Sequence, residues 1–307
     1  METITQPSIK LGVLDFCEIH PDSNARARLI DTLRLAANVD TLGYSRYWLG
    51  EHHNTRFAHV SLTTMAMAIA GKTKNLHIGT GALLLNYHNT LRVANDFRLL
   101  ELLFPQRIDL GVGRGMLADI YEEAFLGPEK TKVADLSFYE SKVEDLLLYL
   151  RGKNKAISIP KNVNSPEFWL LGKNSNSMSL AARHGARFSF SLFLGSTQTE
   201  ASAILAEYHA SFQPSKELIK PQCNLAIAGN CTDSQTQIAH LTKVYDHEDA
   251  NLVPTIIGTP KQCLEKLQEL QYSCKVDEFM FLDISTNLQD RIRSYELLAE
   301  VCGLIKK

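Results

Sequence analysis

The chain has 307 residues, 45% hydrophobic and 21% charged, with 32 Lys and Arg against 34 Asp and Glu. This apolar fraction with a net charge of -2 excludes a disordered chain, and the balanced charge excludes nucleic-acid binding through bulk electrostatics. The six cysteines form no C-x-x-C pair, no apolar run reaches the roughly 18 residues of a spanning helix, and METITQPSIK lacks a leader pattern. The expectation is a cytoplasmic protein that engages neither membrane nor nucleic acid and has no disulfide framework or metal site.

Strand-like and helical patterns then alternate along the chain. Ile9 to Phe16 reads as a first strand, and Ser23 to Leu42 as a helix with Leu29, Leu33, Ala36, Ala37 and Asp40 at helical spacing. Tyr44 to Leu49 is a second strand, and Ser61 to Gly71 a helix rich in small residues and Met. Leu76 to Leu85 is a third strand, followed by a helix from Thr90 to Phe104 that stops at Pro105. Arg107 to Gly113 is the fourth strand. A long excursion from Met116 to Pro166 follows, containing a helix over Lys132 to Arg151. Strands at Glu167 to Leu171, Ala186 to Leu194, Gln222 to Ala228 and Glu278 to Ile284 complete a set of eight. Helices at Ser175 to Arg183, Thr197 to Phe212, Thr259 to Leu270 and Leu288 to Cys302 alternate with them.

Buried strands joined by amphipathic crossovers predict a parallel sheet covered on both faces. Eight such units favour an α/β fold of the (β/α)8 TIM-barrel type over an open sheet, with an insertion after the fourth strand. Without a linker or composition shift, residues 1–307 are read as one domain. In such a barrel the active site lies at the C-terminal ends of the strands, so the residues just after each strand are the ones to question.

The second strand ends in Glu51-His52-His53-Asn54. A histidine there is either a general acid or base, poised near neutral pH, or a brace for the loop. Neighbouring residues of an extended chain point to opposite sides, so at most one of the two histidines faces the barrel axis. The third strand ends in Gly79-Thr80-Gly81-Ala82, which either leaves room for a flat ring or packs closely in the core. The fourth ends in Gly111-Val112-Gly113-Arg114-Gly115. Its third glycine comes too early for a dinucleotide fingerprint, and an arginine between glycines suits a phosphate instead. The fifth runs through Gly172-Lys173-Asn174-Ser175-Asn176-Ser177 into a helix, which is either a plain cap or an anion site. Arg114 and this loop lie at neighbouring strand ends, where both can hold one phosphate.

In this order, the segments Leu42–Asn54, Ile78–Gly81, Leu91–Ala94, Arg107–Gly115, Trp169–Gly172, Gly258–Pro260 and Arg293–Ala299 resemble the bacterial luciferase-like flavin-dependent monooxygenases. The resemblance implies a barrel that binds reduced flavin mononucleotide (FMN) at its strand ends. It implies phosphate contacts from Arg114, Lys173 (through its backbone), Asn174 and Ser177, a cis peptide at Gly81-Ala82 beneath the flavin ring, and His52 as the catalytic residue. It further implies O2 and a small-molecule substrate, a separate flavin reductase as partner, and a homodimer. Two departures from the family pattern stand out: Lys173-Asn174 where serine is usual, and a short Gly229–Gly258 stretch where luciferase has a mobile lid. The same fold accommodates a deazaflavin (F420)-dependent oxidoreductase, or a flavin-binding paralogue without turnover. Met116, Leu117, Tyr121 and Phe125 are the candidate substrate-pocket lining.

Overall fold

The computed structural model describes residues 8–20, 23–127, 135–156, 160, 164–246 and 252–305. In chain order the elements are β1 (Lys10–Asp15), α1 (Ala25–Thr41), β2 (Arg46–Leu49), α2 (Leu62–Ala70), β3 (His77–Thr80), β4 (Leu83–Leu84) and α3 (Thr90–Leu103). There follow β5 (Ile108–Gly113), α4 (Asp119–Leu126), α5 (Leu136–Leu150), β6 (Glu167–Gly172), α6 (Ser175–His184), β7 (Arg187–Ser191) and α7 (Gln198–Ser211). The last are β8 (Cys223–Cys231), α8 (Gln235–Tyr245), β9 (Ile256–Gly258), α9 (Pro260–Cys274), β10 (Glu278–Asp283) and α10 (Leu288–Val301).

Strands pair in the order β10-β1-β2-β3-β5-β6-β7-β8, and β8 pairs with β10 to close the ring. The expected eight-stranded parallel barrel is therefore what the chain forms. β4 continues β3 along β5, and β9 lies beside the end of β8. Three pieces were not anticipated: the short strand β9 and the helices α4 and α8. α4 buries no residue and α8 buries only Leu241, so both are surface helices outside the strand–helix alternation of the barrel. The predicted helix from Lys132 is observed from Leu136; residues 132–134 lie outside the described set, as do 247–251 of the short Gly229–Gly258 stretch. No helix among the described residues is long and apolar enough to cross a membrane. All six cysteines are free.

Alternate strand residues point into the barrel and fill it in layers. At the N-terminal end, Arg46 bridges Asp109, Glu167 and Glu278 at 2.7, 2.9 and 3.0 Å. Above them Trp48 and Trp169 meet edge to face with centroids 5.1 Å apart, and Arg46 lies over the Trp169 ring. This layer accounts for two glycines of the third strand from the core side. A Cβ on Gly79 would lie 2.2 Å from the Asp109 carbonyl oxygen, and one on Gly81 would lie 2.9 Å from the Trp48 ring. Close packing demands these glycines.

The outer faces of the strands pack on the helices. Asp15, at the end of β1, fastens that layer: it pairs with Arg28 of α1 at 2.9 Å and Arg291 of α10 at 3.1 Å, and accepts from Tyr47 at 2.6 Å. Burial opposes its charge, but the two guanidiniums hold its carboxyl far below the usual range. Asp40, polar on the apolar face of α1, accepts the backbone N–H groups of Lys74, Asn75 and Leu76 and so positions the start of β3.

Candidate active site at the barrel mouth

The third strand hands over to its continuation through a cis peptide between Gly81 and Ala82, as the resemblance implied. Five residues from Gly79 to Leu83 face four from Asp109 to Val112, so the ladder carries a bulge at this point. The Gly81 N–H donates to Leu49 O and the Glu51 N–H to Ala82 O, which ties the bulge to the end of β2. Gly81, Ala82 and Gly113 thus form a floor without side-chain bulk, where a Cβ on Gly113 would come within 3.0 Å of the Ala82 Cβ.

His52 leaves β2 beside this floor. Its ring stacks on Phe57 with centroids 4.4 Å apart and meets the edge of Phe16 at 4.5 Å. It makes no hydrogen bond to a described residue. Burial, reinforced by the neighbouring His59, lowers its pKa to about 4. The expectation of a histidine poised near neutral pH is therefore corrected: removal from water disfavours the imidazolium, and His52 is a neutral imidazole at pH 7.

His53 points the other way, as the alternation of an extended chain requires. Its Nε2 lies 2.6 Å from Glu51 Oε1, and its ring meets Phe125 at 4.8 Å. His88 Nε2 approaches the same carboxylate at 2.8 Å, and the Leu84 N–H donates to Glu51 Oε2 at 2.7 Å. Burial alone would raise the Glu51 pKa, but the hydrogen bonds from His53 and His88 hold it down at about 2. His53 is thus a brace, and Glu51 is the hub it braces. The i, i+2 spacing of Glu51 and His53 puts both on one side of an extended chain, a signal the sequence carried and the reading passed over.

Two and three strands round the mouth from β2, Val112 of β5 pairs with Leu170 of β6. Arg114 and Gly172, each two residues further on, are therefore level on neighbouring strands. The Arg114 guanidinium makes no hydrogen bond or ion pair with a described residue. The Asn174 side chain caps α6 by accepting the Ser177 N–H at 3.1 Å, so the cap reading holds for that side chain. The N–H groups of Ser175 and Asn176 take no partner from the described residues, which leaves two donors at a helix N-terminus. The Lys173 ammonium donates to Leu194 O at 2.8 Å and braces the loop, leaving its backbone as its possible contribution. A Cβ on Gly172 would strike Ser177 Oγ at 2.2 Å, so glycine lets the loop fold this tightly. An unpaired guanidinium, two open N–H donors and a flat small-residue floor fit the phosphate and the ring of a flavin mononucleotide.

Of the expected pocket lining, Tyr121 and Phe125 face His53. The Leu117 N–H donates to the Tyr87 hydroxyl, which in turn donates to Glu122. Met116 is exposed. One group with metal-ligand chemistry occurs among the described residues, His77, Asp109 and Glu167, but it lies at the other end of the barrel. There Arg46 already contacts both carboxylates.

At its strand C-termini, the end where barrel enzymes hold their active sites, this closed parallel barrel presents His52 and Arg114 without hydrogen-bond partners among the described residues. Residues 9–210 match the luciferase-like monooxygenase family, and the chain belongs to that family. It is 29% identical to YwcH of Bacillus subtilis, covering 95% of this chain and 98% of that one. It is 27% identical to an Escherichia coli K12 protein named luciferase-like monooxygenase, covering 97% and 98%. The YwcH alignment runs over 332 positions, more than this chain's 307 residues, so that relative carries residues this chain lacks. Among solved structures, apo-MsnO8 superposes with a TM-score of 0.88 at 23% identity, over 97% of this chain and all of that one. The oxygenating constituent of 3,6-diketocamphane monooxygenase of Pseudomonas putida, in complex with FMN, gives 0.74 at 15%, over 96% and 98%. An F420-dependent secondary alcohol dehydrogenase gives 0.76 at 12%, over 98% and 100%. These likenesses establish the fold.

Proposed function

We propose that the protein is a monooxygenase that takes reduced FMN from a separate reductase and uses O2 to oxygenate a small organic substrate. The observation that carries the reading is the pairing of a neutral, aromatic-clamped His52 on one side of the mouth with an unpaired Arg114 beside the α6 N-terminus on the other. Reduced FMN supplies the electrons for the reaction with O2 when it is bound. The chain supplies the rest. Arg114 and the N–H groups of Ser175 and Asn176 hold the phosphate, with Ser177 and the backbone of Lys173 at its edge. Gly81 and Ala82 support the ring. A neutral imidazole carries one N–H and one lone pair, so His52 can donate a hydrogen bond to an oxygen or accept a proton from the substrate and return it. Phe16, Phe57 and Phe193 keep that side of the mouth apolar.

A second copy is the proposed structural partner. Met67 of α2 and Leu99, Leu102 and Leu103 of α3, with Val60 nearby, are exposed apolar residues on the two helices flanking β3. Light scattering at a dimer mass supports this pairing, and a monomer mass overturns it.

The deciding experiment titrates the protein anaerobically with reduced FMN and with reduced F420, then admits O2 with candidate substrates. Tighter binding of reduced FMN and an oxygen-containing product are expected. Preference for F420, with oxidation or reduction independent of O2, moves the protein to the deazaflavin reading. Binding without any turnover moves it to flavin storage.

A further inference from the structure

Burial does not hold α4 in place. The helix buries no residue, and Met116 and Ile120 of the same segment are 71% and 73% exposed. Eight residues are too few for a helix that is stable alone in water, so its position depends on what it touches. Glycines bound the segment on both sides, Gly115 at φ +51° and Gly127 at φ +64°, where the chain passes through left-handed backbone.

The contacts of the segment converge on one place. The Phe125 ring lies 4.8 Å from His53, 6.0 Å from Tyr87 and 6.2 Å from His88, and Tyr121 lies 6.3 Å from His53. The Tyr87 hydroxyl accepts the Leu117 N–H at 3.0 Å and donates to Glu122 Oε1 at 2.6 Å. One phenol thus fastens both the approach to α4 and the helix itself. The surface beneath is far better anchored. Leu85, Asn86 and Tyr87 form a buried turn after β4. Lys142 of α5 donates to Leu85 O at 3.3 Å and to His88 O at 2.6 Å, and His53 and His88 are fixed on Glu51. A tightly held platform therefore carries a lightly held helix. That helix covers His53, whose side chain is 7% exposed.

We propose that residues 115–127 are a strap over the mouth, latched by the Tyr87 hydroxyl and seated by Phe125 among His53, His88 and Tyr87. Few buried contacts and a glycine at each end are what a segment needs to open while the body stays folded. Released, the strap uncovers the His53 side of the mouth and admits substrate; latched, it keeps water from that side. The two fastenings differ in kind. The Phe125 seat is apolar and tolerates sliding, whereas the hydroxyl bridge is directional and breaks when the helix shifts, so Tyr87 sets how often the strap opens. The role in turnover rests on the monooxygenase reading given above; the latch itself does not.

The test is amide hydrogen exchange of the flavin-free protein, comparing residues 116–127 with β5 and α5. Tyr87→Phe keeps the ring and removes the bridge, so α4 should exchange about tenfold faster while β5 and α5 keep their wild-type rates. Should Tyr87→Phe disturb the platform, seen as faster exchange in β5 or α5, Glu122→Ala removes the same bridge from the exposed side. An α4 that exchanges as in wild type in both variants overturns the latch, and so does a wild-type α4 without protection. In turnover, reduced FMN that passes its two electrons and two protons to O2 without oxygenating substrate yields hydrogen peroxide. Tyr87→Phe should raise the share of consumed O2 that appears as peroxide. A faster-exchanging α4 with an unchanged peroxide share overturns the sealing role. A wild type that forms no oxygen-containing product removes the monooxygenase reading instead, and the exchange rates still decide the latch.

Discussion

The two ends of the barrel are built from similar residue types and finished to different degrees. At the N-terminal end Asp109, Glu167 and Glu278 surround Arg46, and every one of their carboxylate oxygens accepts a hydrogen bond from Arg46, Arg187, His77, Trp48, Ser45 or Asn224. Burial alone would raise the Asp109 pKa, but Arg46 and His77 outweigh it and hold the carboxyl low. At the C-terminal end His52, His59 and Arg114 have no hydrogen-bond partner among the described residues. One end is a closed plug that fixes the strands. The other leaves Arg114 and the ring of His52 open to a ligand at the mouth. That asymmetry is what separates stability from function in this fold.

The sharpest way to break the contrast is His52→Ala. Product formation should fall by about 10²–10⁴-fold, the usual contribution of a positioned acid or base, with reduced-FMN affinity little changed. Turnover retained in full with the true substrate would remove His52 from the chemistry. Next in size is Arg46→Ala at the opposite end. It leaves three carboxylates without their shared cation and should cost about 3–5 kcal/mol in urea unfolding. A midpoint equal to wild type would mean that the plug does not carry the stability assigned to it.

Arg114→Ala should weaken reduced FMN by about 10–100-fold, the loss of charge-assisted bonds to a phosphate, with stability little changed. Riboflavin lacks the phosphate and serves as the control; an equal loss for both would place Arg114 elsewhere than on the phosphate. The smallest effect is one of pH. The unfolded chain protonates His52 near 6.5, whereas the folded chain does so only at about 4. Between these values the unfolded state binds more protons, so acid favours it, and the stability His52 contributes falls progressively as pH drops from 6.5 to 4. His52→Ala should therefore flatten the decline in urea midpoint over that window, and an unchanged decline would assign it to other groups.

Much of this was legible in the sequence because its signals are local. The run from Arg107 to Gly113 is strand-like in itself, Pro105 stops the preceding helix wherever it packs, and Gly-Lys-Asn-Ser before an apolar-periodic segment marks a helix start. α4 and α8 are short helices inside the Met116–Pro166 excursion and the Gly229–Gly258 stretch, outside the regular strand–helix alternation that made the other helices legible. The Glu51 hub was half legible. Its pairing with His53 follows from i, i+2 spacing, but His88 reaches it from 37 residues away, which no local pattern records.

The sequence by itself determined the alternation of strands and helices, the eight strands of the barrel, and the strand ends where chemistry would fall, because backbone periodicity and turn chemistry act over a few residues. Only the tertiary structure decided the state of the groups placed there. Whether a glycine makes room for a ligand or for Trp48, whether a histidine is neutral or charged, and whether a buried ring is engaged or idle all depend on distant neighbours and on access to water. His59 is the clearest case: in the sequence it is one histidine among ten, and the fold seals it from water with neither ring nitrogen hydrogen-bonded.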